Sequence, residues 1–126
     1  MQVWYVITFN ENLFCGNPAA VVLMNLSMPS AWCQSMALEL YQAITVFLLP
    51  ICTNHYKVEF YTSYTQVALC GHGTLSCGHV LYSKGYVSKH QAISFHASDS
   101  ILGAMLVDGK VCNDFPELPY SIDVTN

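Results

Sequence analysis

Two glycine–histidine pairs and two cysteines fall within one short stretch, LCGHGTLSCGHVLY, at positions 69–82. Such a set supports three chemistries: a metal clip, a redox pair of thiols, or a helix start that grips an anion. Cys70, His72, Cys77 and His79 are zinc-ligand types, which bind at about 2.0–2.3 Å from one ion. Their spacing works against a shared ion. If residues 72–82 are helical, positions seven apart lie two turns, about 10.5 Å, along the axis. The same separation exceeds the roughly 7 Å that a disulfide spans between Cα atoms. His79 then falls on an apolar face as a core histidine.

The anion reading fits the local pattern better. CGHGT sits where a strand ends and a helix begins. Gly71 and Gly73 carry no side chain, so backbone N–H groups there can approach a ligand. A helix N-terminus adds unpaired donors and a partial positive charge, which suit a carboxylate or phosphate. His72 stands at the mouth of such a site as a hydrogen-bond or proton partner. Cys70 at the same helix end is a second candidate, because a helix N-terminus favours the thiolate. The plain alternative is a glycine-eased helix start that binds nothing.

The elements around this stretch must position it. VWYVITF (3–9) is β-branched and aromatic, a strand pattern. NENLFCGNP is a turn, and AAVVLM (19–24) is a short buried strand. A helix follows at about 29–42, with Ser30 as its cap and Trp32, Met36 and Leu40 on one face. TVFLLP (45–50) and YKVEFYT (56–62) are strands. The central helix spans about 71–84, with Gly85 ending it. AISFHA (92–97), ILGAMLV (101–107) and KVCNDF (110–115) are strands, the last two joined by an Asp-Gly hairpin turn. The fold class is α+β, a mixed sheet with two helices.

Bulk composition bounds the function. The chain has 126 residues and a formal charge of -4, which disfavours nucleic acid as a partner. Charged residues make up only 10% and apolar ones 53%, so some apolar surface is expected to meet another domain or a second copy. No apolar run approaches the roughly 20 residues of a membrane-spanning helix. MQVWYVITFN lacks a basic start and a cleavage site, and is a poor signal peptide. Six cysteines then imply reduced thiols and a cytoplasmic location.

FCGNPAAVVLM (14–24) and LCGHGTL (69–75) occur in the order and separation of the phenazine-biosynthesis-like, PhzF-type family. MALELYQAITVFLLP resembles its helix-then-strand segment, and FYTSYTQVALCGHGTL its strand leading into a CGHATL-like helix start. ISFHASDSILGAMLVDGKVCNDFPELP resembles its next strands and its DFP ending. The resemblance covers nearly the whole chain and implies a diaminopimelate-epimerase-like half-domain, a curled mixed sheet around a central helix with one outer helix. Residues 1–119 would form the family's N-terminal domain and 120–126 a tail, with the second domain absent.

By resemblance the start of the central helix faces a cleft between two domains. Gly71, His72, Gly73, Thr74 and Asn17 then belong to substrate binding; the family's base is a carboxylate from the segment just after the first helix, and without it His72 or Cys70 would have to take that role. The implied reaction is isomerisation of a small carboxylated substrate by proton transfer, with no metal and no cofactor. A homodimer through the cleft-facing surface could rebuild a cleft.

The sequence departs from the family at telling places. The segment that resembles NLSETAF is YQAITVF (41–47), which sets Ile44 where the family has its acid. Glu39 is five positions upstream, on the preceding helix. Gln66 replaces an acid before the central helix, Ile7 an Asp in the first strand, and Asp99-Ser100 a Ser-Gly pair. These changes imply an isomerase-family chain that is impaired or inactive as given. The alternatives are a non-catalytic relative that binds a carboxylate or a protein, or a truncated, degenerate copy.

Overall fold

The structure, a computed structural model, describes residues 1–9, 16–68, 70–98, 100–114 and 122–124. β1 (Gln2–Phe9) pairs antiparallel with β2 (Gly16–Leu23). α1 (Ser30–Leu40) then crosses over to β3 (Ile44–Cys52), which runs parallel to β2 with Ala19 opposite Ile44. β3 turns back into antiparallel β4 (His55–Tyr61).

With β3 along one edge of β4, two strands share the other. β5 (Gln66–Val67) pairs antiparallel with Phe60 and Tyr61, while β6 (Ile93–His96) pairs parallel with His55–Lys57. β7 (Ile101–Val107), β8 (Lys110–Asp114) and β9 (Ile122–Val124) continue as an antiparallel meander. α2 (Gly71–Ser83) packs against β1, β2 and β3 and also against β7 and β8. A helix can touch both ends of one sheet only if the sheet curls around it. The expected curled mixed sheet with a central and an outer helix is therefore present.

Alternation on β3 shows how the core divides. Ile44, Val46 and Leu48 face the inner core with Leu75, Val80 and Leu81 of α2. Phe47 faces outward and packs with Cys33 and Ala37 of α1 and with Tyr61. A strand covered on both faces reads as a continuous apolar run, which is why TVFLLP shows no alternation. Trp32 meets Phe47 edge-on at a centroid distance of 6.2 Å, and Phe47 meets Tyr61 at 5.4 Å.

α2 is buried over most of its length, so it needs small residues where strands come close. Gly73 lies against Val46 and Phe60, and Gly78 against Val111. The helix ends as its glycine predicts. Gly85 takes φ +79°, and Tyr86 N–H donates back to Leu81 O at 2.9 Å. The β7–β8 turn has φ 52° at Asp108 and 79° at Gly109, the paired positive values of a type I′ hairpin.

Three details differ from the sequence expectation. Ser30 does not cap α1. Pro29 holds the cap position at φ -59° and ψ 151° without a side-chain bond, its ring presetting the chain for helix entry. Two-residue β5 was not expected at all. Residues 122–124, expected within a tail, form β9 and pair with Val111–Asn113. Ile-Asp-Val has the alternation of a strand and covers an edge of β8 that would otherwise stand open.

A candidate substrate site at the start of the central helix

Cys70 occupies the cap position of α2 in extended conformation, at φ -145° and ψ 109°. Its Sγ accepts from Gly73 N–H at 3.4 Å. Its carbonyl accepts from Thr74 twice, from N–H at 3.0 Å and from Oγ1–H at 2.9 Å. The first turn is thus organised by Cys70 and Thr74 together, which gives a Cys-Gly-His-Gly-Thr start a local physical reason.

The expected site residues divide into two groups. Gly71 and His72 are half-buried at the helix mouth, and each already engages other groups of the protein. His72 O also accepts from Ser76 Oγ at 3.0 Å. Gly73 and Thr74 lie deeper. Thr74 is fully buried with its hydroxyl on Cys70 O. The bare side of Gly73 faces Val46 and Phe60 rather than an opening. Their visible work is to set the helix against the sheet.

Asn17 lies in β2 opposite Thr8. Its side chain, like that of Asp114, Asp99 and residues 115–121 with the rest of the DFP segment, lies outside the described residues. Ile44 begins β3 on the face that turns to α2, two residues before the Val46 that touches Gly73. It is 5% exposed. Glu39 is exposed on α1, beyond the sheet's outer face. The position expected to hold an acid therefore lies buried in the inner core, and holds an alkyl group.

The second Gly-His pair serves differently. Cys77 is fully buried, and burial, reinforced by the nearby Cys70 thiol, holds its own thiol well above the usual range. His79 is half-buried rather than in the core. It borders a shallow groove of about 220 Å³ with Tyr82, Lys89, Leu106 and Val111.

Two features were not visible in the sequence. Where β5 and β6 part on the edge of β4, a pocket of about 460 Å³ opens, bordered by Lys57, Glu59, Gln66, Val67, His96 and Ser98. Gln66 Nε2 donates to Glu59 Oε2 there at 3.3 Å. On the outer face, Thr45 and Tyr61 are directly opposed across β3 and β4, and both hydroxyls are buried without a hydrogen-bond partner. The Cys33 thiol packs in the same outer cluster as Tyr61. Burial first, then Glu59 and Cys33, push the Tyr61 phenol up to about 12.

Known proteins match this arrangement. The model of the phenazine biosynthesis-like protein family, PhzC–PhzF, matches residues 6–115. An uncharacterized isomerase of Halalkalibacterium halodurans is 35% identical over 114 residues, 90% of this chain and 43% of that protein. A PhzC/PhzF phenazine biosynthesis protein from Clostridium difficile superposes with a TM-score of 0.79 at 27% identity, covering 92% of this chain and 44% of its own. A predicted epimerase from Pseudomonas aeruginosa, at 21% identity and a TM-score of 0.71, covers 88% and 40% and shares the fold. The chain spans about 43% of the length of the curated relative it matches. From its helix start, its curled sheet and these matches, the chain belongs to the phenazine biosynthesis-like (PhzC–PhzF) family and spans the N-terminal half-domain of that family's fold.

Proposed function

We propose that the chain forms the substrate-binding half of a PhzF-like isomerase site, with proton transfer impaired. The start of α2 would hold the carboxylate of a small substrate through the backbone at Gly71 and His72. Moving a proton at carbon needs a positioned base and stabilisation of the developing anion. A helix start supplies the second. The observation that carries this reading is Ile44, a buried alkyl side chain of the inner core where the family resemblance sets an acid.

His72 is then the first candidate to move a proton and Cys70 the second, both at the helix mouth. Gly73, Thr74 and Asn17 frame the site. A further half, or a second copy of the chain, would complete the cleft. Ile44 also favours a second reading, a relative that binds a carboxylate without turning it over. The reading carries with it a cytoplasmic location and reduced thiols.

Solvent exchange separates these. The intact chain is incubated in D₂O with a panel of small carboxylates, and C–H loss is followed by NMR. Exchange that disappears in His72→Ala supports residual isomerase chemistry. Thermal stabilisation without exchange supports the binder, by about 2.7 kcal/mol at a hundredfold excess over Kd. A chain that neither exchanges nor is stabilised by any member overturns the proposal.

A further inference from the structure

The joint between β4 and β6 carries a side-chain pair that the isomerase reading does not use. His55 Nδ1 and His96 Nε2 lie 2.9 Å apart and face each other as a hydrogen bond. Their ring centroids are 5.2 Å apart. His55 pairs with Ser94, and Lys57 with His96, in the parallel joint. The neighbours Tyr56 and Phe95 belong to the inner core, so both imidazoles leave the outer face. Both are half-buried. The bond thus crosses a seam whose backbone pairing spans only His55–Lys57 and Ser94–His96. His96 also borders the pocket of about 460 Å³ beside it.

The proton count decides whether this bond exists. With both rings neutral, one nitrogen donates and the other accepts through its lone pair. One added proton leaves an imidazolium beside an imidazole, and the bond becomes charge-assisted and stronger. A second added proton removes the last lone pair. Two N–H groups then face each other, and two cations stand side by side. Among the described residues, the charged groups flanking the pair are Lys57, exposed, and Glu59, half-buried, both on the same face of β4. Lys57 adds to the repulsion, and Glu59 offsets part of it. β3 sets Cys52 opposite His55, β5 brings Gln66 onto Glu59, and β7 sets Ile101 opposite His96. α1 packs on β4 at Tyr61, the far end of the strand.

We infer that the His55–His96 pair is a proton-operated clasp on the β4–β6 seam, tightened by one added proton and released by the second. The sign follows from proton binding. The closed seam takes up the first proton more readily than the open one, so acid first favours closure. It resists the second, so further acid favours opening. Release frees the strand that borders the pocket, and β7 to β9 follow β6 in the sheet.

The test uses the intact chain, with amide hydrogen exchange followed by NMR from about pH 8 to about pH 4.5, across the ordinary histidine range. Rates are divided by those of the unfolded chain at each pH, and Val46–Leu48 serves as the internal reference. Protection of Ser94–His96 relative to that reference should hold or rise with the first proton, then fall about tenfold or more with the second. The nitrogen–nitrogen coupling across the bond should persist through the first step and vanish with the second. His55→Asn and His96→Gln each leave a side chain that takes up no proton. The acid fall should disappear in both, with circular dichroism confirming that both fold. His90, exposed and away from the seam, is the control, and His90→Gln should leave the fall unchanged. An acid fall that survives in both seam variants, a loss at Ser94–His96 that appears only together with one at Val46–Leu48, or protection unchanged once ring nitrogen shifts show both rings protonated would overturn the inference.

Discussion

A β-carbon built on Gly73 would stand 2.8 Å from Val46 Cγ2 and 3.1 Å from Phe60 Cδ1. Val46 is fully buried and β-branched, so it has little freedom to move aside.

Gly73→Ala should therefore lower stability despite alanine's better helix propensity. Overpacking costs about 1–3 kcal/mol, against a propensity gain near 1 kcal/mol. Chemical denaturation measures the balance. Adding Val46→Ala should recover part of the loss. A Gly73→Ala protein more stable than wild type would show that α2 can shift off the sheet.

Tyr61 should make stability fall in alkali. Its folded phenol is held up to about 12, against an ordinary value near 10. The proton is thus retained longer in the folded state, and the stabilisation is complete below pH 10. It is lost as pH rises from about 10 to 12, by on the order of 2 kcal/mol. Tyr61→Phe should flatten this slope and, by removing a buried hydroxyl without a partner, leave neutral stability equal or higher. An unchanged alkaline slope would show that Tyr61 does not control it.

Ile44→Glu places an acid inside an apolar core. At neutral pH it should cost on the order of 3 kcal/mol. A buried carboxyl is held toward its protonated form, so the loss shrinks as pH falls. Tm measured across pH reports this directly. A variant as stable as wild type at neutral pH would mean that position 44 reaches water or a cation.

Gln66→Glu would turn a bond into a repulsion. Gln66 Nε2 now donates to Glu59 Oε2, and a second carboxylate there has nothing to donate. The site is exposed at position 66, so the cost is modest, about 0.2–1 kcal/mol, and it should vanish in acid. No change at neutral pH would mean that the two side chains separate freely.

Much of the fold was legible because its signals are local. The apolar run of β3, the small-residue pattern of α2 and the Asp108-Gly109 turn each follow from a few neighbouring residues. β5 and β9 were missed because they contain two and three residues, too short to show a period. The helix start at Gly71 was legible from its glycines, but the work of Gly73 was not. Its bare side serves packing against strands distant in the chain. Ile44 gained meaning only through family resemblance, since isoleucine in a buried strand is otherwise ordinary. The His55–His96 meeting could not be read at all, because it depends on parallel register between residues 41 apart.

The divided edge of β4 bears on how the molecule opens. One side of that strand is paired along its whole length with β3, with one register shift between Pro50 and Cys52, whereas β6 grips only three residues of the other. Everything from β6 to β9 hangs on the rest of the sheet through that grip and through the packing of β7 and β8 on α2. Such a seam divides a domain into cooperative units of unequal lifetime. Amide protons of Ser94–His96 should exchange with solvent sooner than those of Val46–Leu48, so that the later strands swing free as one flap while the β1–β4 sheet remains folded.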